Sequence, residues 1–235
     1  IVPMLCSNLN GDVVCVWKRI DHMMDLWRYR TKIPLLRQWN LTLGRGVLIS
    51  ENGKLSNFSR VAENMMTNSI QSIQLAPKGI ATEIYPKKGN DAGKIDLIHD
   101  KDRGEISRYA RDNGVLTLQG PFELKQGGQG IAVRNPVYLE NDDGEEVFWG
   151  FTIVIIRVPD IFADTVKALS DFGYDYRLSK TVSCREETYE VVYRSKGKLM
   201  DPASYAFEMA GDHWKLEVMP RQGWFSYRSL YRFFV

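Results

Sequence analysis

Cysteine and histidine are both scarce, at three residues each in 235, and neither type clusters. Cys6, Cys15 and Cys184 are an odd number at unrelated spacings, with no CxxC redox or zinc pattern. A disulfide would need Cys184 to meet the N-terminal region, and isolated thiols are the simpler reading. His22, His99 and His213 stand far apart and outside HExxH or any other ligand spacing, so no metal site is expected. There is no GxSxG nucleophile elbow and no GxxxxGKS/T or GxGxxG phosphate cradle. Asp142-Asp143-Gly144-Glu145 lacks the spacing and terminal Glu of a calcium loop. These absences leave no expected catalytic residue and no expected cofactor, and the chain is read as a non-enzyme. Neither sign of charge dominates: 31 Lys+Arg face 29 Asp+Glu, with no basic run of four or more. That balance excludes the concentrated basic face of a nucleic-acid binder. No stretch approaches the ~20 apolar residues of a membrane span.

What is present is an ordinary globular composition, 44% hydrophobic and 26% charged, at a length that suits one large domain or two small ones. Val13, Trp17, Ile20, Met24 and Trp27 step by alternating fours and threes, the a/d seam of a helix. That seam packs either on its own domain or on a second copy of itself. A short helix is expected over NFSRVAENMM, with Asn57 as cap and Phe58, Val61, Ala62 and Met65 inward. From Ile70 the texture becomes strands and turns. Alternation is clearest at Ile73 and Leu75, and Pro77-Lys78-Gly79 is hairpin chemistry ahead of IATEIY. Asp102 can cap a helix through Ile106, Tyr109 and Ala110 that ends near Asn113-Gly114. Three strand-like pieces follow, VLTLQG, PFELKQ and GIAVRNPVYL, the last two separated by Gln126-Gly127-Gly128-Gln129-Gly130. That glycine loop is either an anion-binding nest or a hairpin turn.

After the polar turn NDDGEE, the run FWGFTIVIIRV is the most hydrophobic of the chain and reads as a central strand. A helix is expected from Pro159 to Phe172, with Ile161, Phe162, Val166 and Leu169 on one face. Four strand-like segments, YDYRLSK, TYEVVYRS, SYAFEMA and HWKLEVMP, then form a small sheet of their own, with Gly211-Asp212 turning the last pair. Between residues 73 and 158, single polar residues (Glu83, Asn90, Asp96, Gln126, Arg134) lie among apolar strands. That is the make-up of a small-molecule pocket, although many α+β domains share it. Ile1 opens an apolar start without Met, which reads as a piece of a longer protein. The last twelve residues, WFSYRSLYRFFV, are aromatic and basic, as at a membrane interface or in an amphipathic segment packed on its own domain.

The ordered segments APKGIATEIYPKKGND, KIDLIHDKDRGEISRYARDNG, QGPFEL, RNPVY and FWGF resemble the CHASE family, the extracytoplasmic sensor module of bacterial receptors and plant cytokinin receptors. The resemblance implies an α+β fold: a long N-terminal stalk helix (1–56), a membrane-distal PAS-like antiparallel-sheet core (57–158) and a membrane-proximal PAS-like subdomain (159–235). It favours a homodimer through the Val13–Trp27 seam. It also implies flanking transmembrane helices and a cytoplasmic histidine kinase or cyclic-di-GMP output domain. In plant members an Asp hydrogen-bonds the adenine ring of the ligand, and Asp96 falls at that position. A strand leucine whose backbone also contacts ligand corresponds to Leu118. The residue that meets the hormone tail falls at Gly127-Gly128, a departure that removes a side-chain partner. The expected site is therefore Asp96, the strand backbone from Leu118 to Gly120, and Gln126, Gly127, Gly128 and Arg134. The expected ligand is a small molecule of unspecified identity. The alternative is a protein-interaction module without a small ligand.

Overall fold

The computed structural model describes residues 55, 57–89 and 95–224. The Val13–Trp27 seam, Cys6, Cys15, Asn90 and the segment 225–235 lie outside the described residues.

Two antiparallel sheets make up most of the molecule. The first has five strands: β1 (Ile70–Pro77), β2 (Glu83–Tyr85), β3 (Thr117–Glu123), β4 (Gln129–Glu140) and β5 (Glu146–Val158), in the order β2-β1-β5-β4-β3. The hydrophobic run of β5 is central, as its sequence predicts. A strand covered on both faces shows an unbroken apolar run rather than alternation, and here Phe151 through Ile156 are all buried. The second sheet has four strands: β6 (Tyr174–Val182), β7 (Arg185–Arg194), β8 (Ala203–Met209) and β9 (Asp212–Pro220), in the order β7-β6-β9-β8. Three helices accompany them: α1 (Phe58–Met65), α2 (Gly104–Asn113) and, after a 3₁₀ turn at Asp160–Phe162, α3 (Ala163–Asp171).

Local chemistry accounts for most boundaries. Lys78 and Gly79 both take positive φ, +53° and +87°, and turn β1 into β2. At Gly79 a Cβ would sit 2.6 Å from the Ile98 side chain, so the turn needs glycine for space as well as for φ. Helix α2 ends on Gly114, whose left-handed backbone lets its N–H reach the carbonyls of Ala110 and Arg111, the expected C-terminal signal. Three expectations need correction. VLTLQG and PFELKQ form one strand, β3, with its register shifted between Gln119 and Phe122; Gly120 (φ +118°) and Pro121 bulge the strand without ending it. Asp102 does not cap α2. The helix has no side-chain cap; Asp100 closes the turn before it, accepting the amides of Asp102 and Arg103 at 2.9 Å each. Asn57 stands at the start of α1 but makes no side-chain cap bond, and its carbonyl accepts the Val61 amide instead.

The two faces of the first sheet have different neighbours. Ile73, Leu75, Leu118, Ile131, Val133, Val154 and Ile156 share one continuous core with Phe58 and Ala62 of α1, Leu169 of α3, and Leu178, Trp214, Leu216 and Val218 of the second sheet. The opposite face, with Ala76, Ala132, Phe151, Ile153 and Ile155, packs on Leu97, Ile98 and Ala110 of the segment that runs into α2.

Polar groups also join the sheets, at the outer edge of β3. Lys180 of β6 has no exposed surface, and its Nζ reaches Leu118 O at 2.9 Å, Thr181 O at 3.0 Å and Glu190 Oε1 at 2.7 Å. Those three acceptors use the three N–H bonds of an ammonium. Asp212 Oδ2 stands 3.2 Å away at ion-pair distance but takes no hydrogen bond from it. Ser183 Oγ donates to Asp212 Oδ1 at 2.6 Å and accepts the Leu118 N–H at 3.4 Å. Burial pushes the Asp212 carboxyl above its usual range, with Lys180 pulling the other way.

Candidate functional site

The candidate site lies on the α2-facing side of the first sheet and follows from strand alternation. In β4, Ile131 and Val133 point into the shared core, so Ala132 and Arg134 point to the other face. Residues directly opposite one another on neighbouring strands share a face. The registers therefore set Ile84, Gln74, Ile153, Arg134 and Thr117 in one row across all five strands. All five are buried.

Arg134 is the unusual member, at 1% exposed. Its Nη2 donates to Gln119 Oε1 at 2.9 Å, and its Cζ lies 5.9 Å from the centre of the Phe151 ring. Its Nε and Nη1 are buried without a hydrogen-bond partner among the described residues. Beside it in the row, the Thr117 hydroxyl is also buried and unpartnered. Burial pushes the guanidinium down to about 10, with Arg103 lowering it further and Asp100 opposing. It remains a cation at neutral pH. Leaving buried donors of this kind unsatisfied costs roughly 1–3 kcal/mol each, so a group that supplied acceptors here would recover that energy.

The cover over this face is built from two aspartate-closed turns. Asp96 Oδ1 accepts the amides of Ile98 and His99 at 3.0 and 3.1 Å, and Oδ2 pairs with His99 Nδ1 at 2.8 Å. The His99 side-chain hydrogen bond is the main reason its carboxyl sits below the usual range. Asp100 closes the next turn. Arg108 Nη1 donates to Ile98 O at 2.6 Å, which ties the first turn of the cover to α2. Gln119 then links cover and sheet, because its Nε2 donates to Asp102 O at 3.1 Å while its Oε1 accepts from Arg134.

The residues singled out by sequence do not all meet. Asp96 is at the cover, with its side chain 43% exposed and its oxygens engaged in its own turn. Leu118 sends its side chain into the shared core, and its amide and carbonyl are bonded to Ser183 and Lys180. Gly120 is the bulge of β3, where a Cβ would come within 2.8 Å of Gly130 O. Gln126 Nε2 donates to Gly89 O at 3.0 Å. Gly127 and Gly128 form the exposed β3–β4 turn, closed by Gly127 N–H to Leu124 O and Leu124 N–H to Gly128 O, both 2.9 Å. Arg134 lies five residues along β4 from Gln129, about 17 Å at ~3.4 Å per residue. The hairpin tip and Arg134 are therefore too far apart to share one compact ligand.

Sequence reasoning missed Thr117, Gln119 and Phe151 as companions of Arg134. A signal for two of them was present. In the LTLQ stretch, Thr117 and Gln119 alternate with Leu116 and Leu118, which places two polar side chains on one sheet face. Among the described residues there is no group of His, Cys, Asp and Glu that could hold a metal ion, and no helix long and apolar enough to cross a membrane. Cys184 is a free thiol.

A family model for the CHASE domain matches residues 58–189, from α1 into β7. Among solved structures, the chain is similar to the ligand-binding domain of the Pseudomonas aeruginosa amino-acid chemoreceptor PctC in complex with GABA. The identity is 13% and the TM-score 0.58, with 86% of this chain and 98% of that one covered. It is also similar to an extracellular ligand-binding receptor from Desulfohalobium retbaense, at 13% identity and TM-score 0.50. That likeness covers 86% of this chain but only 38% of the receptor chain. At such identities the likeness is one of fold. No curated protein sequence matches the chain.

Proposed function

The chain belongs to the CHASE domain family, and from that premise we propose that it is the extracytoplasmic sensor of a membrane-bound signalling receptor. It binds a small molecule against the Arg134 face of the five-stranded sheet and catalyses nothing itself. The observation that carries this reading is the buried guanidinium whose Nε and Nη1 have no partner among the described residues, next to a Thr117 hydroxyl that has none there either. A binding site is economical where a few polar groups stand ready among apolar ones, and Ala132, Phe151 and Ile153 supply the apolar surroundings.

In this proposal Arg134 is the centre of the site, with Thr117 and Gln119 beside it. Asp96 contributes by holding the cover in shape, and Leu118 and Gly120 by fixing the path of β3. Gln126, Gly127 and Gly128 shape the hairpin that closes one end of the sheet. The receptor proposed around the domain is a homodimer through the N-terminal stalk, with a transmembrane helix on each side and a histidine kinase or cyclic-di-GMP output domain in the cytoplasm. Signalling then requires that ligand favour one arrangement of the dimer over another.

The test is a thermal-shift screen of the domain against adenines, amino acids, organic acids and peptides. A ligand present at ~100 times its dissociation constant adds about 2.7 kcal/mol, roughly 5–10 °C for a chain of this size. Stabilisation by a small compound is the expected result. Blank results across the library, together with native mass spectra free of co-purified metabolites, would sink the small-molecule reading.

A further inference from the structure

We infer that the ligand is a small organic carboxylate, held through its carboxyl group by Arg134 and Thr117; this rests on the sensor reading above. The first argument is charge. Arg134 is a buried cation, and the acid that favours its charged form is Asp100. Asp100 is already committed: Oδ1 takes two backbone amides and Oδ2 lies 3.4 Å from Arg103 Nη1. Arg103 adds positive charge near the same place. Among the described residues the guanidinium is therefore left without a carboxylate bonded to it, and a buried cation calls for an anionic partner.

The second argument is shape. Nε and Nη1 carry three of the five N–H bonds of a guanidinium, and both are without partners. Gln119 takes one hydrogen of Nη2. Whichever hydrogen that is, a planar two-donor fork remains, either Nε with Nη2 or Nη1 with Nη2. Such a fork matches the two oxygens of a carboxylate. The Thr117 hydroxyl, opposite Arg134 on β3, is a further donor for one of them. One available guanidinium among Phe151, Ile153 and Ala132 suits a single negative charge with a mostly apolar remainder. A phosphate dianion would call for a second free cation, and Arg103 is already engaged with Asp100. Ligand at the guanidinium also competes with, or reinforces, the Gln119 link to Asp102 O, so occupancy is felt by the cover.

The experiment is isothermal titration of the chain with organic acids and amino acids, each beside its primary amide, and with inorganic phosphate and adenine. Arg134→Met and Arg134→Lys run in parallel, and the melting temperature of each unliganded variant is recorded. The expected result is binding by a carboxylate and not by its amide. Affinity falls about 30-fold or more in Arg134→Met, the lower end of what losing one partner of a buried charge pair costs, and Arg134→Lys retains part of it. The unliganded Arg134→Met protein melts at or above the parent temperature. An α-amino acid that binds while its deaminated acid does not would assign the amine a further contact and support the same site. Equal binding of acid and amide, or of parent and Arg134→Met, overturns the carboxylate and leaves the sensor reading standing. Binding of phosphate alone overturns it too, as does binding of adenine alone. If no carboxylate binds at millimolar concentration the inference fails. If nothing in any class binds and Arg134→Met melts well below the parent, the guanidinium is a structural group and both readings fail together.

Discussion

Two fully buried cations sit in neighbouring sheets, and they are treated in opposite ways. Lys180 has an acceptor for each of its N–H bonds and a second carboxylate close by. Among the described residues Arg134 has one acceptor, and its Nε and Nη1 have none. Burying a charge is costly unless it is paired and hydrogen-bonded. The Lys180 cluster meets that cost within the chain, and its position between β3 and the second sheet identifies it as a joint. Arg134 leaves the cost unmet among the described residues, and on that the proposed binding role rests. Burial alone does not separate the two cations; the count of satisfied donors does.

The largest effect is expected at Lys180. Lys180→Met strands Glu190 and Asp212 without their cation and leaves the Leu118 carbonyl unbonded. The expected loss is about 3–5 kcal/mol, read from urea unfolding midpoints. Next is Ser183→Ala, which removes the donor to Asp212 Oδ1 and the acceptor for the Leu118 amide. A loss of about 1–3 kcal/mol is expected. On the other side of the comparison the sign reverses. Arg134→Met, which replaces an unsatisfied buried charge by an apolar chain, should gain about 1 kcal/mol in the unliganded protein. If both cations prove equally costly to remove, the distinction drawn here is wrong. Thr117→Val should be neutral or gain a few tenths of a kcal/mol, because its hydroxyl has no partner to lose.

The smallest effects are in the pH dependence, and they too differ in sign. The folded pKa of Asp212 is raised, so in the window above the ordinary aspartate value the folded state holds a proton that the unfolded state has released. Stability contributed by this group is present below that window and is lost as pH rises through it. Asp96 is lowered, chiefly by the His99 side chain. Its contribution is present above the ordinary value and is lost as pH falls through the folded one. Unfolding free energies between about pH 3 and pH 6 should therefore tilt upward with pH in Asp212→Asn relative to the parent, and flatten in Asp96→Asn. Identical slopes in the two variants would contradict the environments assigned to these carboxylates.

The parts of the molecule that could be read in the sequence are those governed by local rules. Continuous apolar residues placed β5 at the centre of its sheet, Gly114 marked the end of α2, and Pro77-Lys78-Gly79 marked a hairpin. The misreadings have physical causes. Pro121 after Gly120 looks like a strand break, but an edge strand tolerates proline at a bulge. Asp102 has the chemistry of a cap, and only the path of the preceding turn, which Asp100 closes, leaves it unused. Arg134 was legible as a lone polar residue in an apolar strand. Its unsatisfied donors were not, because they depend on Gln119 and Thr117, which share its face only through strand register. Lys180 in YDYRLSK was unremarkable, since the groups that bury it come from Leu118, Glu190 and Asp212.

The bonds at Leu118 have a consequence for the solubility of the chain. β3 is the outermost strand of the five-stranded sheet on its side, and an outermost strand offers free amides and carbonyls on which another molecule can add a strand of its own. Midway along β3 that offer is withdrawn, because Lys180 holds the Leu118 carbonyl and Ser183 the Leu118 amide. The second sheet thus acts as a cover for the raw edge of the first. A chain ended at Val158 would lose this cover together with the second sheet's share of the common core, and its expected fate in solution is stacking of one molecule on the next.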